Sequence, residues 1–166
     1  MRGTLSERDE SDKQKQRVIN KLDINIKGLD GELLKITVID YSHPDAVDFW
    51  DGNWLSCRLE LNIKGFNADF LFDLRVDEIE SFLMELDQLN LNLKGKANLE
   101  NMEEVIKLKL NVCKTGKLKW EGRLLYPAGI GSTLVFEYDS DQTFLPAIIK
   151  ELKNVLKRYP MKGKLI

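Results

Sequence analysis

Few residues of this chain could carry chemistry: one histidine, His43; two cysteines, Cys57 and Cys113; and three aspartates spaced by three, Asp45, Asp48 and Asp51. With one histidine, no His–His metal pair can form, and any Ser-His-Asp or Cys-His arrangement would have to use His43. That residue stands in Tyr41-Ser42-His43-Pro44-Asp45, a turn-like setting that reads as a surface imidazole. The cysteines sit in apolar, strand-like runs and read as two reduced, buried thiols, with a disulfide or a metal pair as the alternative. Gly129-Ile130-Gly131 resembles half of a dinucleotide fingerprint, but it joins strand to strand and Leu134 stands where a third glycine is needed. No catalytic residue, metal ligand or cofactor is assigned.

The aspartate triplet does not read as a metal site. A calcium loop of the EF-hand type places ligands at i, i+2 and i+4 with a glutamate at the twelfth position, and this segment does not match. Spacing by three would align carboxylates on one side of a helical turn, where they repel unless a partner or solvent neutralises them. A basic protein partner and a plain solvated loop both satisfy that condition. Trp50 lies among these acids, and aromatics of this kind anchor protein interfaces. The candidate partner-binding set is Asp40, Asp45, Asp48, Trp50, Asp51 and Asn53, all in the long irregular stretch from Asp40 to Asn53. Trp54 is expected to open the next strand and pack in the core. An enzyme built on carboxylates alone could use pairs such as Asp48 with Asp51, or Asp69 with Asp73, which share one side of a strand.

The elements that hold this loop read clearly. Leu22, Ile24 and Ile26 alternate with polar residues, and Leu34 to Ile39 forms a second strand after Gly28-Leu29-Asp30-Gly31. After the loop, Trp54 to Lys64 and Phe66 to Leu74 form a hairpin about Gly65. A helix follows, with Asp77 as N-cap and Glu80 completing a capping box; its apolar stripe is Ile79, Phe82, Leu83, Leu86 and Leu89. The second half repeats the plan: strands at Lys96–Leu99, Val105–Val112, Leu118–Tyr126 and Thr133–Tyr138, then a helix from Phe144 to Tyr159 stopped by Pro160. The fold class is α+β, with antiparallel sheets of about eight strands and two amphipathic helices in a β4α–β4α layout. Residues 1–17 read as a mobile charged tail and 18–166 as one domain with halves at 22–94 and 95–160, since no Pro/Gly/Ser linker divides them.

Charge is divided between these halves. Residues 37–90 carry twelve acids against three bases, and residues 91–166 carry fourteen bases against eight acids. Lys107, Lys109, Lys117, Lys119 and Arg123, with Trp120 nearby, could form a basic sheet face, but the acidic half and a pI near 5.6 count against direct nucleic-acid binding. No apolar run approaches the ~20 residues that span a bilayer. Met1 to Arg17 lacks the apolar core of a secretory signal, so a cytoplasmic protein free of the membrane is expected. Oligomeric state is not legible.

Trp50-Asp51-Gly52-Asn53-Trp54-Leu55, the strand pair after it and the helix near Asp77 resemble the WapI family of bacterial immunity proteins. So does Gly129-Ile130-Gly131-Ser132-Thr133-Leu134-Val135-Phe136-Glu137-Tyr138, running on into Asp141-Gln142-Thr143-Phe144-Leu145-Pro146. The resemblance covers roughly Leu33 to Pro160. It implies a cytoplasmic immunity protein that neutralises a cognate toxin, a nuclease with a basic domain. The family supplies no contact residues to carry over, so the acidic set remains a reading of the residues. A small-molecule-binding or regulatory module without catalysis is the alternative.

Overall fold

Period-two alternation decides which face each strand buries, and two sheets follow from it. The computed structural model describes residues 21–166, so the charged segment 1–17 lies outside the described residues. The first half forms β1 (Leu22–Lys27), β2 (Leu33–Tyr41), β3 (Trp54–Ile63), β4 (Phe66–Arg75) and helix α1 (Val76–Asn92). The second forms β5 (Lys96–Glu100), β6 (Ile106–Val112), β7 (Leu118–Tyr126), β8 (Ser132–Ser140), a single 3-10 turn (Gln142–Phe144) and helix α2 (Leu145–Arg158). Each sheet is a four-stranded antiparallel meander in sequence order. The expected α+β class and the β4α–β4α layout are borne out.

In β3, Leu55, Cys57, Leu59 and Leu61 face the core, while Ser56, Arg58 and Glu60 face outward. Helix α1 buries Ile79, Phe82, Leu83, Leu86 and Leu89, and α2 buries Leu145, Ile148, Ile149, Leu152 and Val155. These join both sheets in one apolar cluster. Gly122 in β7 lies opposite Phe136 of β8, whose ring fills the space a side chain at 122 would need.

The two halves exchange their helices. In α2, Glu151 accepts the main-chain N–H of Asn25 in edge strand β1 at 2.7 Å and its side-chain amide at 3.0 Å. In α1, Glu85 does the same for Asn98 in edge strand β5, at 2.6 and 3.1 Å. Each helix thus closes the first strand of the other half, satisfying main-chain donors that an open edge would offer to another chain.

Four local expectations are corrected. Helix α1 is capped at Arg75 rather than Asp77, because β4 runs straight into it; the Glu78 carboxylate takes the Arg75 N–H at 2.9 Å. Trp54 opens β3, but it lies half-buried on the outer face against Arg75 instead of entering the core. Cys57 is buried, whereas Cys113 sits just past β6 and is partly exposed; both are free thiols. Trp120 points into the core, away from the lysine face, and its indole N–H is buried without a partner.

Candidate partner-binding loop

The loop joining β2 to β3 folds back over the outer face of the first sheet. An irregularity between Val38 and Asp40 pairs Asp40 with Ser56 on that outer face and leaves Tyr41 opposite core-facing Leu55. Tyr41 meets Tyr159 edge-on at 5.1 Å. Ser42 donates its hydroxyl to the Asp73 carboxylate at 2.7 Å and lies 3.0 Å from the Ser56 hydroxyl. The loop is therefore tied at its root to β3 and β4.

Arg75 holds its far end. It pairs across the strands with Trp54, at the place where β4 ends and α1 begins. It is 1% exposed, which is rare for an arginine and demands that its donors be used. Its guanidinium donates to the carbonyls of Trp50 at 2.6 Å and Phe49 at 3.0 Å, and to the Asp77 carboxylate at 2.9 Å. The Phe49, Trp54 and Trp50 rings surround it at 5.1, 5.2 and 5.5 Å. A planar, weakly hydrated guanidinium suits such an aromatic enclosure, where an ammonium would not.

The aspartates divide into two kinds. One Asp48 carboxylate oxygen accepts the main-chain N–H groups of Trp50 at 2.8 Å and Asp51 at 2.9 Å. These donors, the Asp51 N–H foremost, hold its pKa below the ordinary carboxylate value, and Arg75 adds to the effect. Gly52 closes the turn by donating to the Asp48 carbonyl, and a Cβ at that position would strike this carbonyl. Asp40, Asp45 and Asp51 are exposed, and Trp50 keeps 56% of its surface. Asn53 is fully buried, so it supports the loop rather than facing a partner. The structure thus places five of the six proposed residues on the surface and the sixth beneath them. Sequence reasoning missed Arg75 and Lys162, and read Asp73 as a partner of Asp69 rather than of Ser42; an arginine at the end of an apolar strand, followed by Asp77 and Glu78, was the available signal for the first.

Other surfaces are less built. A groove of about 570 Å³ crosses the outer face of the second sheet. Two of its lysines are paired: Lys107 with Glu100 across the strands at 2.8 Å and with Glu104 just before β6 at 3.1 Å, and Lys109 with Glu121 at 3.9 Å. Beside it, Lys119 pairs with Glu137 at 3.3 Å. Among the described residues, no three His, Cys, Asp or Glu side chains gather in a metal-binding group, and no helix is long and apolar enough to cross a membrane.

The architecture defines a two-sheet, two-helix α+β protein that displays a clamped acidic loop. Residues 24–160 match the model of the immunity protein WapI-like family, and the chain belongs to that family. No curated protein matches it. Among solved structures it is similar to the Trypanosoma bruciei MRP1/MRP2 crystal structures, with 10% identity, a TM-score of 0.49, and coverage of 90% of this chain and 93% of the other.

Proposed function

We propose that this chain works by binding rather than catalysis: it captures a cognate protein toxin in the cytoplasm and covers its working surface. The partner surface is basic, as in nucleases that hold phosphates, and the Asp-rich loop between β2 and β3 is the docking element. Membership in an immunity family supports the first part. The loop itself supports the second. It keeps Asp45, Asp48 and Asp51 exposed beside an exposed Trp50 on a scaffold clamped by buried Arg75.

The physical logic is ordinary. Carboxylates on a fixed loop steer a basic partner and raise the encounter rate without costing loop entropy on binding. Trp50 offers an apolar anchor at the centre of the charged surface. Asp40 and Asp73 extend the negative surface onto the neighbouring strands.

The test is protection. The chain is co-expressed with the toxin domain encoded beside its gene, and growth is followed. Survival with the wild-type chain, lost when Trp50 and the three loop aspartates are replaced together, is the expected result. Unabated killing by that toxin in the presence of the wild-type chain overturns the reading.

A further inference from the structure

The segment after α2 lies against the docking loop and is stitched to it at several points. Asn53 donates its side-chain amide to the Lys162 carbonyl at 2.9 Å, and its amide oxygen accepts the Lys162 N–H at 2.8 Å. The same amide nitrogen donates to Phe49 O at 2.8 Å, so one buried asparagine ties the loop to the C-terminal segment. The Lys162 ammonium donates to the carbonyls of Pro44 and Ala46, both at 3.1 Å, and lies 3.8 Å from the centre of the Tyr41 ring. Tyr41 in turn donates its hydroxyl to the Pro160 carbonyl at 2.9 Å. Gly163, at φ +66°, packs so closely on the loop main chain that a Cβ would fall 2.5 Å from the Phe49 nitrogen.

We infer that Asn53 and Lys162 are positioning residues of the docking loop, which makes residues 160–163 a working part of the binding site although they lie outside the loop in sequence; this rests on the proposed docking role of that loop. The ammonium of Lys162 occupies carbonyls on the inner side of the turn that displays Asp45 and Asp48. Without it, those carbonyls turn to water and the turn gains alternative conformations. A partner would then meet a loop that must be ordered on binding, which slows productive association and shortens the complex lifetime. The contacts are local to the loop, so their loss opens the loop without opening the sheets.

Hydrogen exchange on the full chain reads the latch with no partner present. In Lys162→Ala, the amides of Ala46, Trp50, Asp51 and Gly52 should exchange about tenfold faster, the loss of roughly one or two net hydrogen bonds, while β3 and β7 amides keep their protection. Lys162→Arg, which keeps a cationic donor, should restore most of the difference. Association with the toxin domain encoded beside the gene should slow in Lys162→Ala and recover in Lys162→Arg. Unchanged loop exchange, acceleration spread evenly over both sheets, or a looser loop with unaltered association would each overturn the positioning role. Failure of the wild-type chain to bind that toxin domain would instead overturn the docking reading on which it rests, and the exchange result separates the two failures.

Discussion

Arg75 donates to the main-chain carbonyl of Trp50 at 2.6 Å while its guanidinium lies 5.5 Å from the Trp50 ring centre. One buried cation thus fixes both the backbone and the side chain of the most exposed aromatic in the loop. Arg75→Lys keeps the charge but loses the fork that reaches two carbonyls and Asp77. It should destabilise the fold by about 2 kcal/mol, and Arg75→Ala by about 3 kcal/mol. Chemical denaturation measures both. The order matters: equal, negligible losses would show that the aromatic enclosure holds without the guanidinium.

The edge-closing pairs act as equivalents across the two halves. Glu151→Ala leaves the Asn25 N–H without its carboxylate, and Glu85→Ala does the same at Asn98. Each should cost about 1–2 kcal/mol. Because the two sites share no partner, the double variant should lose the sum within about 0.5 kcal/mol. It should also self-associate at concentrations where the wild-type chain does not, since two strand edges are opened. Denaturation and sedimentation measure these outcomes.

The two thiols should behave differently. Burial pushes the Cys57 thiol far above the usual range, and no solvent path reaches it in the folded chain. Cys113 is partly exposed beyond the end of β6. A maleimide at neutral pH should label Cys113 promptly and Cys57 only after denaturation. Mass spectrometry after a short pulse gives the answer, and two labels on the native chain would contradict the burial of Cys57.

Glu78 gives a pH signature. Burial raises its pKa above the ordinary value, outweighing the N–H groups of Arg75 and Met102 that favour its ionised form; Asp77 adds to the rise. An acid whose folded pKa is raised weakens the fold while ionised, and that loss is relieved as pH falls through the folded pKa toward about 4.3. Glu78→Gln removes that charge but keeps only one of the two acceptors used by Arg75 and Met102, so the trend is the test: the variant's stability relative to wild type should fall as the pH drops from 7 toward 4. Denaturant midpoints at the two pH values test the sign; a relative stability that rises in acid contradicts it.

Strands and helices were legible because their signals are local. The alternation from Leu55 to Ile63 and the stripe from Leu145 to Val155 each lie within one element. The capping of α1 was not: Asp77 with Glu80 and Arg75 with Glu78 have the same spacing, and only the run of β4 to Arg75 chooses between them. The acidic loop was visible as composition, and Asp45, Asp48, Asp51 and Trp50 lie exposed in it, whereas Asp40 belongs to the end of β2 rather than to the loop. Its scaffold was not visible. Asn53 sits in an Asp-Gly-Asn turn that looks exposed, and its burial depends on Lys162, 109 positions away. Arg75 is enclosed by residues 25 and 26 positions upstream that fold back over the sheet. Lys107, Lys109 and Lys119 looked open as a row, and their pairing depends on Glu100, Glu121 and Glu137 from neighbouring strands.

The central claim is that the loop aspartates steer a basic toxin onto this chain. The most direct test is the association rate with a toxin domain that the chain neutralises, measured across ionic strength for wild type and for Asp45→Asn, Asp48→Asn and Asp51→Asn combined. The account predicts an on-rate about tenfold lower for the variant at low salt, with the two rates converging as salt screens the charges. Equal on-rates at low salt, with the same salt dependence, would contradict it.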